Sequence, residues 1–365
     1  EFCNVAAGPF CGMLLADLGA DVIKVEHPDG GDTMRAWPPI TGGYSENFAS
    51  LNRNKRSVTL DLKQPEARQQ ARGLVLDADV LIENNRPGVM SRLGLGYEAL
   101  QRDKPSLVYC SISAFGQEGP RSGEGGFDLT MQAMSGIMSV TGEPDGAPVK
   151  CGVPVSDFCA GLYAAYAIAA VLMRVRNGGA GEHIDVSMLG ASLGIAALQT
   201  SEYFGTGRDP KKLGSAHPRN APYQAFKAKD GYFAMAAGND GLWRATCEAL
   251  GRGDLAGDPR FATTALRAQH QAVLKDTLED ETRIEAPIGR HPRDRKRMSV
   301  HAAGRSSRTD VRIVARFGVP ATTAFGPVRL VLHLRYQACD DRQCLPPVET
   351  SAAVDLTIGP GGVAA

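Results

Sequence analysis

Short apolar runs alternate with helix-patterned segments along the first two hundred residues, and that alternation limits the fold more than any other feature. A helical pattern from Gly8 to Leu18 stops at Gly19, a C-cap residue, and Asp21-Val22-Ile23-Lys24-Val25 follows as a short buried strand. Strand Ser57 to Leu62, helix Pro65 to Leu76, strand Val80 to Ile82 and strand Ser106 to Ile112 continue the series. Strands this short and this evenly apolar have no wet face, and a helix between successive strands returns the chain in the same direction. The expected fold class is therefore α/β, a Rossmann-like doubly wound parallel sheet with helices on both faces. A long Ala-rich helix from about Asp157 to Arg176, a Gly-Gly-Ala-Gly turn, strand His183 to Val186 and a helix from Met188 to about Gln199 complete a large domain, residues 1–200.

Residues 201–282 read as a smaller α+β domain. A loop rich in Gly and Pro leads to a hairpin, Tyr223 to Ala237 around Asp230-Gly231, and a helix from Gly241 to Leu250. The texture then changes. Residues 283–318 are Arg-rich, broken by Pro and Gly, and lack apolar periodicity, which predicts an irregular linker. Strand-like alternation resumes at Val328 in a β fragment, residues 319–365.

Lys plus Arg and Asp plus Glu both number 40, so no net field steers the chain toward nucleic acid or an anionic membrane. The most apolar stretch, Phe158 to Val175, is broken by Gly161 and two tyrosines and flanked by Asp157 and Arg174, which predicts a buried helix rather than a membrane span. The chain opens on Glu1-Phe2-Cys3 with no leader pattern, and reads as truncated at its start. Cys3, Cys11, Cys110, Cys151, Cys159 and Cys247 show neither metal-ligand nor disulfide spacing, which suits a reducing cytoplasm and predicts no metal site.

Two features carry chemistry on the residues alone. Basic and amide side chains cluster where strands open or close (Asn54-Lys55-Arg56, Lys63, Asn84, Arg86), and a doubly wound sheet holds its ligands beyond the strand ends. Asp157 stands between Val153-Pro154-Val155 and an apolar helix, where an aspartate is either an N-cap or a reactive carboxylate.

Five segments, in order and spacing, resemble the family III CoA-transferases, the group of formyl-CoA transferase and carnitine CoA-transferase that also includes α-methylacyl-CoA racemase. They are Ala7-Gly8-Pro9-Phe10 through Gly19-Ala20-Asp21-Val22-Ile23-Lys24-Val25-Glu26, Asn52-Arg53-Asn54-Lys55-Arg56-Ser57, Glu83-Asn84-Asn85-Arg86-Pro87-Gly88, Gly126-Phe127-Asp128, and Pro154-Val155-Ser156-Asp157-Phe158 with Gly161. The resemblance covers residues 1–282. It implies an enzyme that uses CoA and acyl-CoA as substrates, a small carboxylic acid as the other partner, no permanently bound cofactor, and an interlocked homodimer. It also implies that Asp157 is the nucleophile, with Asp128 orienting the acyl group; amides at the helix N-terminus would keep Asp157 ionised. The positions matching CoA contacts are His27, Leu60, Lys63, Asn84 and Arg92, to which Arg86 is added from the Arg-Pro-Gly turn. His27 replaces an arginine that contacts phosphate there. The glycine-rich loop of formyl-CoA transferase has no counterpart between Gly205 and Pro222, and Ala6 stands where that enzyme has a glutamine, so formyl/oxalate specificity is not implied. The racemase branch needs a histidine where this chain has Phe127, which makes racemisation the minor alternative.

The segment Leu334 to Pro347, with Tyr336-Gln337-Ala338-Cys339 and Cys344-Leu345-Pro346-Pro347, resembles the periplasmic N-terminal domain of thiol:disulfide interchange reductases. That implies a Cys339–Cys344 redox pair and, as an alternative function, thiol exchange with a protein partner. A periplasmic redox fragment behind a cytoplasmic enzyme reads as a join between unlike sequences.

Overall fold

The computed structural model describes residues 1–227 and 231–279, and beyond them the strand backbones at 288–290, 298–300, 326–336, 348–359 and 362–364. Two compact units divide between Lys212 and Leu213. The sequence placed that division after residue 200, but the Lys212 Nζ donates to the carbonyls of Gly146 and Ala147 and keeps the intervening segment with the first unit.

The first unit is the expected doubly wound sheet. Its strands are β1 (Val22–Glu26), β2 (Lys55–Thr59), β3 (Val80–Glu83), β4 (Val108–Ser113) and β5 (His183–Ser187). β1 pairs with β2, and β3, β4 and β5 form a second run, all parallel. The first residues of the chain lie between the two runs. The Glu1 carbonyl accepts from the Val25 N–H at 2.9 Å, the Phe2 N–H donates to Ile82 at 2.7 Å, and Phe2 bridges Glu83 in parallel. The order is thus β2-β1-(residues 1–2)-β3-β4-β5.

Alternation along the strands explains why both faces are dry. Ile82, Val108, Cys110 and Ile112 face α1 (Ala7–Asp17) and the long helix α4 (Val155–Arg176), with Met131 from α3 (Asp128–Met134) and Ala191 from α5 (Met188–Ile195). Leu81, Leu107 and Tyr109 face the other way, onto Ala71 and Val75 of α2 (Pro65–Asp77). Gly19, at φ +96°, ends α1 as its sequence position predicts.

Helix α4 is buried along one side only. Ser156, Ala160, Gly161, Ala164 and Ile168 form one buried stripe of mostly small side chains, which lets the helix lie close to α1 and β4. The opposite side leaves Leu162, Tyr166 and Met173 exposed. Among the described residues α4 is the one helix long and apolar enough to cross a membrane. The single helix expected after Met188 is instead two, α5 and α6 (Ala197–Thr206), because Ala196 at ψ 18° leaves the helical track.

In the second unit β6 (Tyr223–Lys227) and β7 (Tyr232–Ala236) form the expected antiparallel hairpin. It packs with α7 (Asp240–Ala249) and α8 (Gln271–Glu279) around Phe226, Trp243, Phe261 and Leu274. A fully buried Arg267 donates to the carbonyls of Ala221 and Phe261 and to Asp240, so its charge and N–H groups are matched. The strand expected from Val328 is β8 (Gly326–Tyr336), antiparallel to β9 (Val348–Gly359), which also pairs β10 (Gly362–Ala364). Within the Arg-rich stretch, Ile288–Arg290 and Met298–Val300 pair as short strands. Cys339 and Cys344 lie outside the described residues.

Candidate active site

A cavity of about 350 Å³ opens beyond the C-terminal ends of β3 and β4, where a parallel sheet presents its loops. Its walls bring together Asp157, Asn84 and Arg86, with the Asn4–Ala7 turn on one side and Gly125, Gly126 and Phe127 on another.

Asp157 is the third residue of α4 and not its cap, which is Pro154. Proline offers no side-chain acceptor, and the cap is supplied from elsewhere: the Asp128 Oδ1 accepts from the Ser156 N–H at 2.9 Å. The other Asp128 oxygen accepts from the Gln132 side chain at 2.7 Å, and the Gln132 Oε1 accepts from the Cys151 N–H at 2.8 Å. The Ser156 hydroxyl in turn accepts from Ser192 at 2.8 Å. This network holds the first turn of α4, leaving the Asp157 carboxylate on the cavity wall without a hydrogen bond or ion pair among the described residues. Burial, and then the neighbouring Asp128 charge, push its pKa up to about 7. Both effects act against the helix amides expected to keep Asp157 ionised, and they move its pKa in the opposite direction. The result is a carboxylate about half ionised near neutrality and more basic than an ordinary aspartate, which makes it a better nucleophile.

Asn84 grips the wall that contains Asn4. Its Oδ1 accepts from the Asn4 N–H at 2.9 Å and its Nδ2 donates to the Asn4 carbonyl at 2.8 Å. The buried Glu83 fixes the same loop by accepting from the Asn85 N–H at 2.8 Å. The exposed Arg86 guanidinium lies against Gly125, 3.0 Å from where a Cβ would stand, so a side chain there would displace it. Arg86 has no partner among the described residues, whereas Glu124 on the same rim is paired with Arg121 at 2.6 Å. Phe127 is 80% exposed at the cavity edge, and no histidine lines the cavity.

The remaining predicted contacts sit outside this lining. His27, Leu60 and Lys63 gather where β1 and β2 end, around Asp61, which accepts from the Lys63 N–H at 3.0 Å and stands 3.7 Å from His27 Nε2. The cations here stand out in the sequence, whereas the acid between them does not. Arg92 is exposed on a short helix, Val89–Arg92. Lys55 and Arg56, read from their strand as ligand-facing cations, are not. Lys55 is buried against Glu1 at 2.8 Å, and Arg56 pairs with Asp21, at the opposite ends of β1 and β2. Among the described residues no group of three or more His, Cys, Asp or Glu could hold a metal ion.

Residues 1–287 match the family model of CoA-transferase family III. The chain is 44% identical over 289 residues to a succinate–glutarate CoA-transferase of Agrobacterium fabrum, covering 77% of this chain and 72% of that protein. It is 40% identical over 279 residues to the succinyl-CoA:glutarate CoA-transferase of Mus musculus, covering 76% of this chain and 64% of that one, so it spans less than two thirds of the mouse protein. Among solved structures, a CAIB/BAIF family protein from Brucella suis superposes with a TM-score of 0.69 at 45% identity, over 77% of this chain and 76% of that one.

Proposed function

Since the chain belongs to CoA-transferase family III, we propose that it moves CoA from an acyl-CoA to a free carboxylic acid, with Asp157 carrying first the acyl group and then CoA. The observation that carries this reading is the Asp157 carboxylate itself: unpartnered, on the cavity wall, with its pKa raised to about 7. An Asp157 oxygen attacks the thioester carbonyl, the C–S bond breaks, and CoA thiolate leaves behind a mixed anhydride. The thiolate then attacks the aspartyl carbonyl of that anhydride, releasing the donor acid and forming an aspartyl-CoA thioester. The acceptor carboxylate attacks this thioester and expels the thiolate, which opens the second anhydride at the acceptor's acyl carbon and frees Asp157. Every bond broken is matched by one formed, so the protein supplies position and charge and needs no bound cofactor.

Asn84 and Arg86 share the cavity with Asp157 and are assigned to CoA near its thioester. His27, Lys63 and Arg92 are exposed and suited to phosphate oxygens, with Leu60 as an apolar neighbour. Asp128 acts on the reaction by setting the charge and the placement of Asp157. The names of the Agrobacterium and mouse relatives make succinate and glutarate the first acids to test. Apolar side chains left open on α4 and α6, including Tyr166 and Phe204, support a homodimer, and the buried free thiols Cys3, Cys11 and Cys110 suit the cytoplasm.

The test is exchange of labelled CoA between an acyl-CoA and a panel of free acids. Asp157→Asn keeps shape but has no nucleophilic carboxylate, so CoA binding should persist while exchange stops. Wild-type exchange in this variant overturns the assignment. Deuterium uptake at the α-carbon, followed in the same samples, reads out racemisation, for which Phe127 provides no second base.

A further inference from the structure

Among the described residues only Val5 and Asn54 combine a side chain with a positive φ, and Val5, at +67°, is β-branched. A β-branched residue takes this conformation only when its surroundings impose it. The Val5 N–H donates to both oxygens of Asp32, at 3.1 and 3.2 Å. Asp32 is fully buried and ion-paired at 3.0 Å with Lys24, itself buried, and the Lys24 Nζ donates to the Cys3 carbonyl at 2.7 Å. Two oppositely charged buried groups therefore grip the residues on either side of Asn4, while Asn84 holds Asn4 itself. Asp32 is anchored in turn, its own N–H donating to Glu26 at 2.9 Å and its Oδ1 accepting from Met34 at 3.0 Å.

What is gripped is one wall of the Asp157 cavity, which Asn4, Val5, Ala6 and Ala7 all line. That wall has no slack against the helix bearing Asp157: a Cβ on Gly161, one turn along α4, would stand 2.7 Å from the Ala7 carbonyl oxygen. We propose that Asp32, together with Lys24, is a positioning residue for acyl transfer, holding Val5 in a left-handed conformation so that the Asn4–Ala7 turn stays in place against Asp157. Asp32 touches no reacting atom. The proposal rests on Asp157 as the nucleophile, and the two ideas fail separately.

The test uses the full chain in the CoA-exchange assay, with rates expressed per CoA-binding site. Asp32→Asn, which keeps an acceptor but removes the charge, should lower kcat about tenfold with KM for acyl-CoA changed less than about twofold, since small misplacements act on the chemical step. Asp32→Glu, which keeps the charge for Lys24 but moves the carboxylate, should do the same. Glycine takes a positive φ without a clamp, so adding Val5→Gly to either variant should recover at least about half of the loss on a logarithmic scale. A buried ion pair that served stability alone would show an unchanged kcat per site and no such rescue. Failure of Val5→Gly to restore kcat, or to restore CoA-binding protein where an Asp32 variant does not fold, overturns the proposal. Asp157→Asn measured alongside separates the cases. Wild-type exchange there refutes the nucleophile, whereas no exchange there and unrescued Asp32 variants refute the brace.

Discussion

If burial and the Asp128 charge raise the Asp157 pKa, the protein should gain stability when that carboxylate is removed, and the gain should depend on pH. The group moves from the ordinary 3.8 to about 7 on folding. The folded state therefore keeps its proton where the unfolded chain has lost it, and stability falls as pH rises from about 4 to 7 and stays lowered above that. At about 1.4 kcal/mol per unit, a shift of roughly 3 units sets a ceiling near 4 kcal/mol. Part of the side chain still meets solvent, so about half of that, roughly 2 kcal/mol, is the working figure. Asparagine carries no such penalty. Asp157→Asn should thus be more stable than wild type by about 2 kcal/mol at pH 8, which for a unit of this size is roughly 4–8 °C in Tm. By pH 5 the gain should shrink to about half or less, because fewer wild-type molecules there pay for a desolvated charge. Urea and thermal unfolding from pH 5 to 8, followed by two probes to confirm a single transition, measure it. A gain that is flat with pH, or a loss at pH 8, would refute the electrostatic account. Were Asp157 merely an N-cap, asparagine would be neutral throughout.

Exchange activity should rise with pH through about 7 as Asp157 ionises, and Asp128→Asn, by removing the adjacent negative charge, should move that midpoint down; a midpoint unmoved in the variant counts against the coupling. Gly161→Ala places a methyl 2.7 Å from the Ala7 carbonyl and 2.9 Å from the Phe10 ring, and should cost about 1–3 kcal/mol in urea unfolding together with a loss of exchange rate. Replacing Cys339 and Cys344 by Ser should leave acyl transfer unchanged, and a loss of exchange would tie the C-terminal residues to the CoA chemistry.

The sheet was legible because strand and helix periods differ and because Gly19 and the Gly-Gly-Ala-Gly turn punctuate them. Asp157 was legible as a lone acid at the start of an apolar helix. What local sequence did not disclose is where charges spend themselves. Lys24 sits in an apolar strand pattern yet is buried on Glu1 and Asp32, and Lys55 and Arg56 resemble ligand-facing cations yet pair with Glu1 and Asp21. Those partners lie up to 54 residues away in sequence, beyond the reach of any local pattern. The same holds for Asp128, whose cap on α4 spans 28 residues and replaces the side chain that Pro154 lacks. The raised pKa of Asp157 follows from that placement, and reasoning from the helix alone gave the opposite sign.

The place of residues 1–2 in the sheet sets an order of events during folding. Phe2 reaches its register only against Glu83, and Asn4 is gripped by Asn84. Residues 1–4 therefore cannot be seated until the segment around Glu83 and Asn84 is available to pair with them, nor can the Asp157 cavity close until α4 and Met188 of α5 have followed. The walls of the cavity are drawn from segments around residues 4, 84, 113, 125, 157 and 188, and no fragment shorter than residues 4–188 contains them all. The first turnover should consequently lag the appearance of helical signal in a refolding experiment, making acyl transfer a reporter of the last long-range pairing.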